Sequence, residues 1–94
     1  MLFHITHAHN YETCMAHNEK SKTKFMQTIL NTDESGVKVL GVYADPPGHK
    51  IFMIIETDTM ERLVKFLDPV IDFGDYDIRP VLNFSTAVSS LSNN

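Results

Sequence analysis

Five consecutive apolar residues, 51 to 55 (IFMII), follow an Asp45-Pro46-Pro47-Gly48 turn. Proline fixes φ there and glycine permits the chain to reverse, so residues 37–44 and 50–57 read as an antiparallel hairpin. Side chains alternate along a strand, which sends Ile51, Met53 and Ile55 to one face and Phe52 and Ile54 to the other. A strand apolar on both sides needs cover on both sides. Whatever else the chain forms has to supply that cover.

The remaining segments supply half of it. Residues 2–7 (LFHITH) read as a strand by alternation. Asn10 can cap a helix, and residues 11–31 read as mostly helical, with a polar middle that allows a short first turn and a break before the main helix. Phe25, Met26, Ile29 and Leu30 form an apolar stripe in the second half of that helix. NTDESG is a loop. Asp58 and Glu61 have capping-box spacing, and Met60, Leu63, Val64 and Leu67 then repeat at helical intervals until Asp68-Pro69. Residues 76–84 read as a last strand, at a sheet edge because Pro80 cannot donate a ladder hydrogen bond. Leu82 and Phe84 of that strand are expected to meet the helices. The order is β-α-β-β-α-β, the split βαβ or ferredoxin-like arrangement of class α+β, with a four-stranded antiparallel sheet in order 4-1-3-2. Residues 1–84 make a single domain, and the Ser/Asn-rich residues 85–94 form a tail expected to be poorly ordered.

Two helices cover one face of such a sheet. The other face is expected to mate with the same face of a second copy, giving a sheet-to-sheet homodimer. Burying about 500 Å² of apolar surface contributes on the order of 12 kcal/mol gross at ~25 cal/mol per Å², much of it offset by the cost of association. Size points the same way. Ninety-four residues bury a limited core, and one cysteine excludes an internal disulfide, so a metal or a partner subunit is the expected support.

The net charge of -4 argues against nucleic acid as a partner. Lys20, Lys22 and Lys24 read as a solvated helix surface. The apolar run at 51–55 is far too short to span a membrane. A single thiol behind an opening MLFHITHAHN without a basic, then apolar, leader leads to the expectation of a reducing cytoplasm. No G-x-S-x-G elbow, phosphate loop, zinc ribbon or dinucleotide fingerprint occurs.

The MLFHIT strand, the VLGVYADPPGHKIFMIIET hairpin and the closing KFLDPVIDFGDYDIRPVLNF segment resemble the dimeric α/β-barrel superfamily of ferredoxin-like proteins. The resemblance covers residues 1 to about 84. The closing segment, with its I-x-P-V pattern, is most like an uncharacterised short-protein branch. The superfamily includes muconolactone isomerases, small haem-degrading and quinol-oxidising monooxygenases and stress-responsive barrel proteins. The resemblance implies the fold and the dimer. Its chemistries are varied, and none of their catalytic constellations is matched here.

Two groups of residues carry candidate chemistry. By alternation Leu2, His4 and Thr6 share a face, which Phe52, Ile54 and Glu56 join from the third strand and Asp77, Arg79, Val81 and Asn83 from the last. With strands 1 and 3 read as parallel, Thr6 and Glu56 fall at the same end. An apolar cleft with a few converging polar groups suits a small anionic or aromatic molecule. His4 is the candidate acid or base, Glu56 its orienter or a proton acceptor, and Arg79 the grip on a carboxylate or enolate, with isomerase or monooxygenase-like chemistry in view. Thr6, Asp77 and Asn83 are the candidate substrate contacts. The same residues equally suit an intersubunit ion pair in a non-enzymatic assembly or sensor module.

The second group is His7, His9, Cys14 and His17. His7 and His9 face one side of a strand, and Cys14 and His17 one side of a helix. Three imidazoles and a thiolate suit zinc or a similar transition metal. The alternative is that the histidines are ordinary polar residues and Cys14 a small buried hydrophobe.

Overall fold

A computed structural model describes residues 1–10, 18–30 and 36–92. The elements run β1 (Leu2–Ala8), α1 (Glu19–Leu30), β2 (Val37–Asp45), β3 (Lys50–Thr57), α2 (Met60–Leu67), a 3-10 helix (Asp68–Phe73), β4 (Asp75–Val81) and α3 (Phe84–Ser92). This is the β-α-β-β-α-β order of an α+β fold, extended by α3. The sheet order is β2-β3-β1-β4, so β1 and β3 are central and the proline-bearing β4 is an edge.

Every strand pair is antiparallel, including β1 with β3, which corrects the parallel reading. Leu2 pairs with Glu56, His4 with Ile54 and Thr6 with Phe52. The reason lies in the connections. The crossover through α1 makes β2 run with β1, and the tight hairpin then reverses β3 against both. In the hairpin, Asp45 Oδ1 accepts from Gly48 N at 3.2 Å, and His49 takes a positive φ of 54° to complete the reversal. A register shift between Val39 and Gly41 leaves Leu40 without a Cα partner, a bulge in the outer strand.

The core lies on one side of the sheet. Phe3, Ile5, Met53 and Ile55 pack with Phe25 and Ile29 of α1, Leu63, Phe66 and Leu67 of α2, and Val70. The buried stripe of α2 continues into the 3-10 helix at positions 63, 66, 67 and 70. Met60 and Val64, expected in the stripe, are exposed, as are Met26 and Leu30 of α1. The helix starts also differ from those expected: α1 begins at Glu19, and the first part of the segment read as helical, 11–17, lies outside the described residues. Asn18 Oδ1 accepts from Ser21 N at 3.1 Å, and Thr59 Oγ1, rather than Asp58, accepts from Arg62 N at 3.2 Å. Asp58 lies 3.6 Å from Arg62 as an exposed pair of small energetic weight.

The C-terminal expectation is corrected as well. β4 stops at Val81 rather than at residue 84, and Phe84–Ser92 form a helix. Asn83 caps this helix. Its Oδ1 accepts from Ser85 N at 2.9 Å and its carbonyl from Ala87 N at 2.9 Å. Leu82 and Phe84 are 71% and 82% exposed rather than buried against the helices. α3 has no extensive packing against the rest of the molecule. Among the described residues no helix is long and apolar enough to cross a membrane.

Candidate functional site on the open sheet face

Among the described residues, α1, α2 and the 3-10 helix pack against the Phe3/Ile5 side and leave the opposite side of the sheet open. Cross-strand partners project to the same face, so the register arranges this surface in rows. Val81, Leu2, Glu56 and Lys38 form one row. Arg79, His4, Ile54 and Gly41 form the next, and Asp77, Thr6, Phe52 and Tyr43 the third. Rows are spaced about 7 Å apart, two residues of strand rise. Leu2, Phe52 and Ile54 are half-buried, while Tyr43 is 65% exposed.

Four of the expected site residues are thereby neighbours. His4 and Arg79 are direct cross-strand partners, as are Thr6 and Asp77. Arg79 Nε donates to Asp77 Oδ2 at 3.3 Å. Both side chains are well exposed, so the pair adds little stability. The bond uses Nε and leaves the two Nη groups as the fork that grips carboxylates. The His4 ring lies 6.4 Å from that of Phe52, centre to centre.

Glu56 and Asn83 are placed elsewhere. Glu56 belongs to the Leu2 row, at the opposite end from Thr6, with Lys38 as its partner on β2. The expectation that it shares Thr6's end fails because β1 and β3 are antiparallel. Asn83 is off the strand, at the start of α3. Glu56 and Asn83 instead line one recess of about 340 Å³ with Leu2, Pro80, Val81 and Thr86.

His7 and His9 are brought together at the other end of β1, on the helix-covered face. Their rings are 5.1 Å apart. His7 is fully buried between Phe25 and Tyr76, and its Nε2 lies 3.1 Å from the Phe73 carbonyl. A carbonyl only accepts, so Nε2 carries the proton and Nδ1 keeps its lone pair. Tyr76 donates its hydroxyl to the Val70 carbonyl at 2.6 Å, and burial raises the pKa of this phenol. Cys14 and His17, the other two expected metal ligands, lie outside the described residues. Among the described residues no three His, Cys, Asp or Glu side chains are already gathered to hold a metal ion.

His49, expected to be an exposed residue of the hairpin turn, is half-buried beside His9. Its carbonyl accepts from His9 N at 3.0 Å and its ring stands edge-on to His9 at 5.4 Å. The antiparallel direction of β1 and β3 would have revealed it, since that direction brings the hairpin turn beside the end of β1.

Burial lowers the His7 pKa against opposing contributions from the Phe73 carbonyl and Asp75, with His9 lowering it further. Burial also lowers that of His9, helped by His49. A histidine whose folded pKa lies below its unfolded one binds fewer protons when folded. Stability therefore rises with pH through that window and is lost as pH falls below about 6.5. In chelator-treated buffer, thermal melts are expected to show a falling Tm from pH 7 to pH 5, and His7→Phe to flatten that slope. An identical slope in the variant would show that His7 does not stay neutral.

The family described as Domain of unknown function (DUF3303) matches residues 1–94. No curated protein matches the chain.

Proposed function

The chain belongs to the DUF3303 family, and from its uncovered sheet face we propose a homodimer, paired sheet to sheet as in dimeric α/β barrels, that binds a small anionic molecule between the sheets. The observation that carries this reading is the polar pair His4–Arg79 set among Leu2, Phe52, Ile54 and Val81 on the face that, among the described residues, α1, α2 and the 3-10 helix leave uncovered. An apolar surface of that kind on a small domain marks an interaction site. Apolar walls strengthen an Arg–carboxylate contact by excluding water.

In this reading the Arg79 Nη fork holds a carboxylate or enolate, and Asp77 on its Nε edge keeps the guanidinium aligned. The recess beside Leu2 and Val81, about 340 Å³, takes the apolar body of the molecule. His4, one strand spacing from Arg79, is the group that moves a proton to or from the bound anion, which makes proton transfer of the isomerase type the chemistry within reach. Glu56 sits at the recess and not beside His4, so it contacts the ligand's far end and does not orient the imidazole.

The test separates binding from assembly. Salicylate, as an aromatic carboxylate probe, is titrated into the protein with backbone amide NMR shifts as the readout. Arg79→Ala is expected to weaken binding at least tenfold, since a charge-assisted hydrogen bond contributes about 1.5–3 kcal/mol, while the mass in solution stays that of the dimer. His4→Ala is expected to leave both the dimer and most of the affinity intact. Loss of the dimer on Arg79→Ala, with no effect on salicylate, would replace this reading by a purely structural ion pair.

A further inference from the structure

We propose that His7, His9 and His49 form a binding site for a divalent transition metal of the zinc type, on the helix-covered side of the sheet and away from the open face. The three share one feature. The Nδ1 atoms of His7, His9 and His49 are buried without a hydrogen-bond partner, and no other side-chain nitrogen or oxygen among the described residues is in that state. Buried polar atoms are nearly always satisfied, and a cluster of three imidazole nitrogens without partners calls for a ligand. A metal ion satisfies all three at once when each Nδ1 is the deprotonated nitrogen, as it is at His7.

The spacing fits. The His7–His9 and His9–His49 ring centres are 5.1 and 5.4 Å apart. Two imidazoles bound to one tetrahedral ion at ~2.0–2.1 Å hold their centres about 5 Å apart. The rings do not converge on one point as they stand. Rotation about the Cβ–Cγ bonds of His9 and His49 is what brings them round, and torsions of that kind have broad minima.

The surroundings are those of a ligand set. His7 Nε2–H is fixed on the Phe73 carbonyl at 3.1 Å, the second hydrogen bond that orients a metal-binding imidazole and leaves its other nitrogen deprotonated. Gly74 packs closely against the ring, and an added Cβ there would stand 2.7 Å from that Nε2. His9 also lines an open recess of about 440 Å³ with Asp72 and Asp75, whose carboxylates attract a cation towards the cluster and give it a way in. Three imidazoles leave a fourth tetrahedral position for water. The site keeps His7 and His9 of the metal set read from the sequence, and His49 takes the place given there to Cys14 and His17.

Full-length, tag-free protein is stripped with chelator and titrated with Zn²⁺ by calorimetry, and with Co²⁺ by visible absorption. The expected result is one ion per chain with micromolar or tighter affinity. His9→Gln and His49→Asn should each weaken it at least tenfold, with unchanged metal-free melting curves. Asparagine is chosen because it tolerates the positive φ at position 49. His4→Ala, on the other face, should bind as the parent does. Zn²⁺ binding absent at micromolar concentrations, or retained by both His9→Gln and His49→Asn, overturns the proposal. So does binding that Cys14→Ser abolishes and His49→Asn leaves intact.

Discussion

If the open faces pair as proposed, Ile54→Asp is expected to leave a monomer, weakening self-association by about a thousandfold or more. Ile54 lies in the His4–Arg79 row on an inner strand, so it occupies the middle of the open face. Pairing with a second sheet would bury the new carboxylate without a partner, at a cost of several kcal/mol. Each 1.4 kcal/mol is tenfold in affinity. The protomer itself should tolerate the change, because the core uses the other face of β3, through Met53 and Ile55. Light scattering behind size exclusion reads the mass, and far-ultraviolet circular dichroism checks that the fold survives. A variant that is folded and as large as the parent would mean that this face is not the interface.

Gly74→Ala is expected to lower stability by about 3 kcal/mol, the upper end for a residue forced into a backbone conformation open only to glycine. Gly74 has φ 155° and ψ -163°, where an L side chain is strained. A Cβ there would also run into the carbonyl oxygen of Ala8. The strain falls where it matters for the fold. Gly74 carries the chain from the 3-10 helix into β4 and sets the Phe73 carbonyl against His7. For a domain of this size each kcal/mol shifts Tm by about 4–8 °C, so a fall of roughly 12–24 °C should appear in thermal melts. A Tm within a few degrees of the parent would show that the backbone can relax around the methyl group.

The strands and the sheet order were legible because they rest on local signals. Alternation marks β1 and β3, the Asp45-Pro46-Pro47-Gly48 turn makes the hairpin, and Pro80 puts β4 at an edge. Strand direction is a different kind of information. It comes from counting reversals along the connections, and the parallel reading of β1 and β3 misplaced Glu56 and hid His49. His4, Thr6, Asp77 and Arg79 were still read together, because face membership depends only on parity along each strand. His7 shows the limit of parity. It shares the core face with Phe3 and Ile5, and only tertiary packing from Phe25, Phe73 and Tyr76 reveals it as a buried group.

The start of α2 was misread by a single residue, since Asp58 and Thr59 are both good caps and the choice depends on the exit angle from β3. α3 was overlooked for a related reason. FSTAVSSLS has modest helix propensity, and its start depends on the Asn83 cap, which the strand reading had absorbed into β4.

Sedimentation equilibrium of the unmodified protein at micromolar concentration tests the pairing of the open faces most directly. Sheet-to-sheet association gives a mass near twice the 10.7 kDa of one chain. A single species of 10.7 kDa across that range would leave Phe52 and Ile54 facing water and contradict the dimer and the ligand site between its sheets.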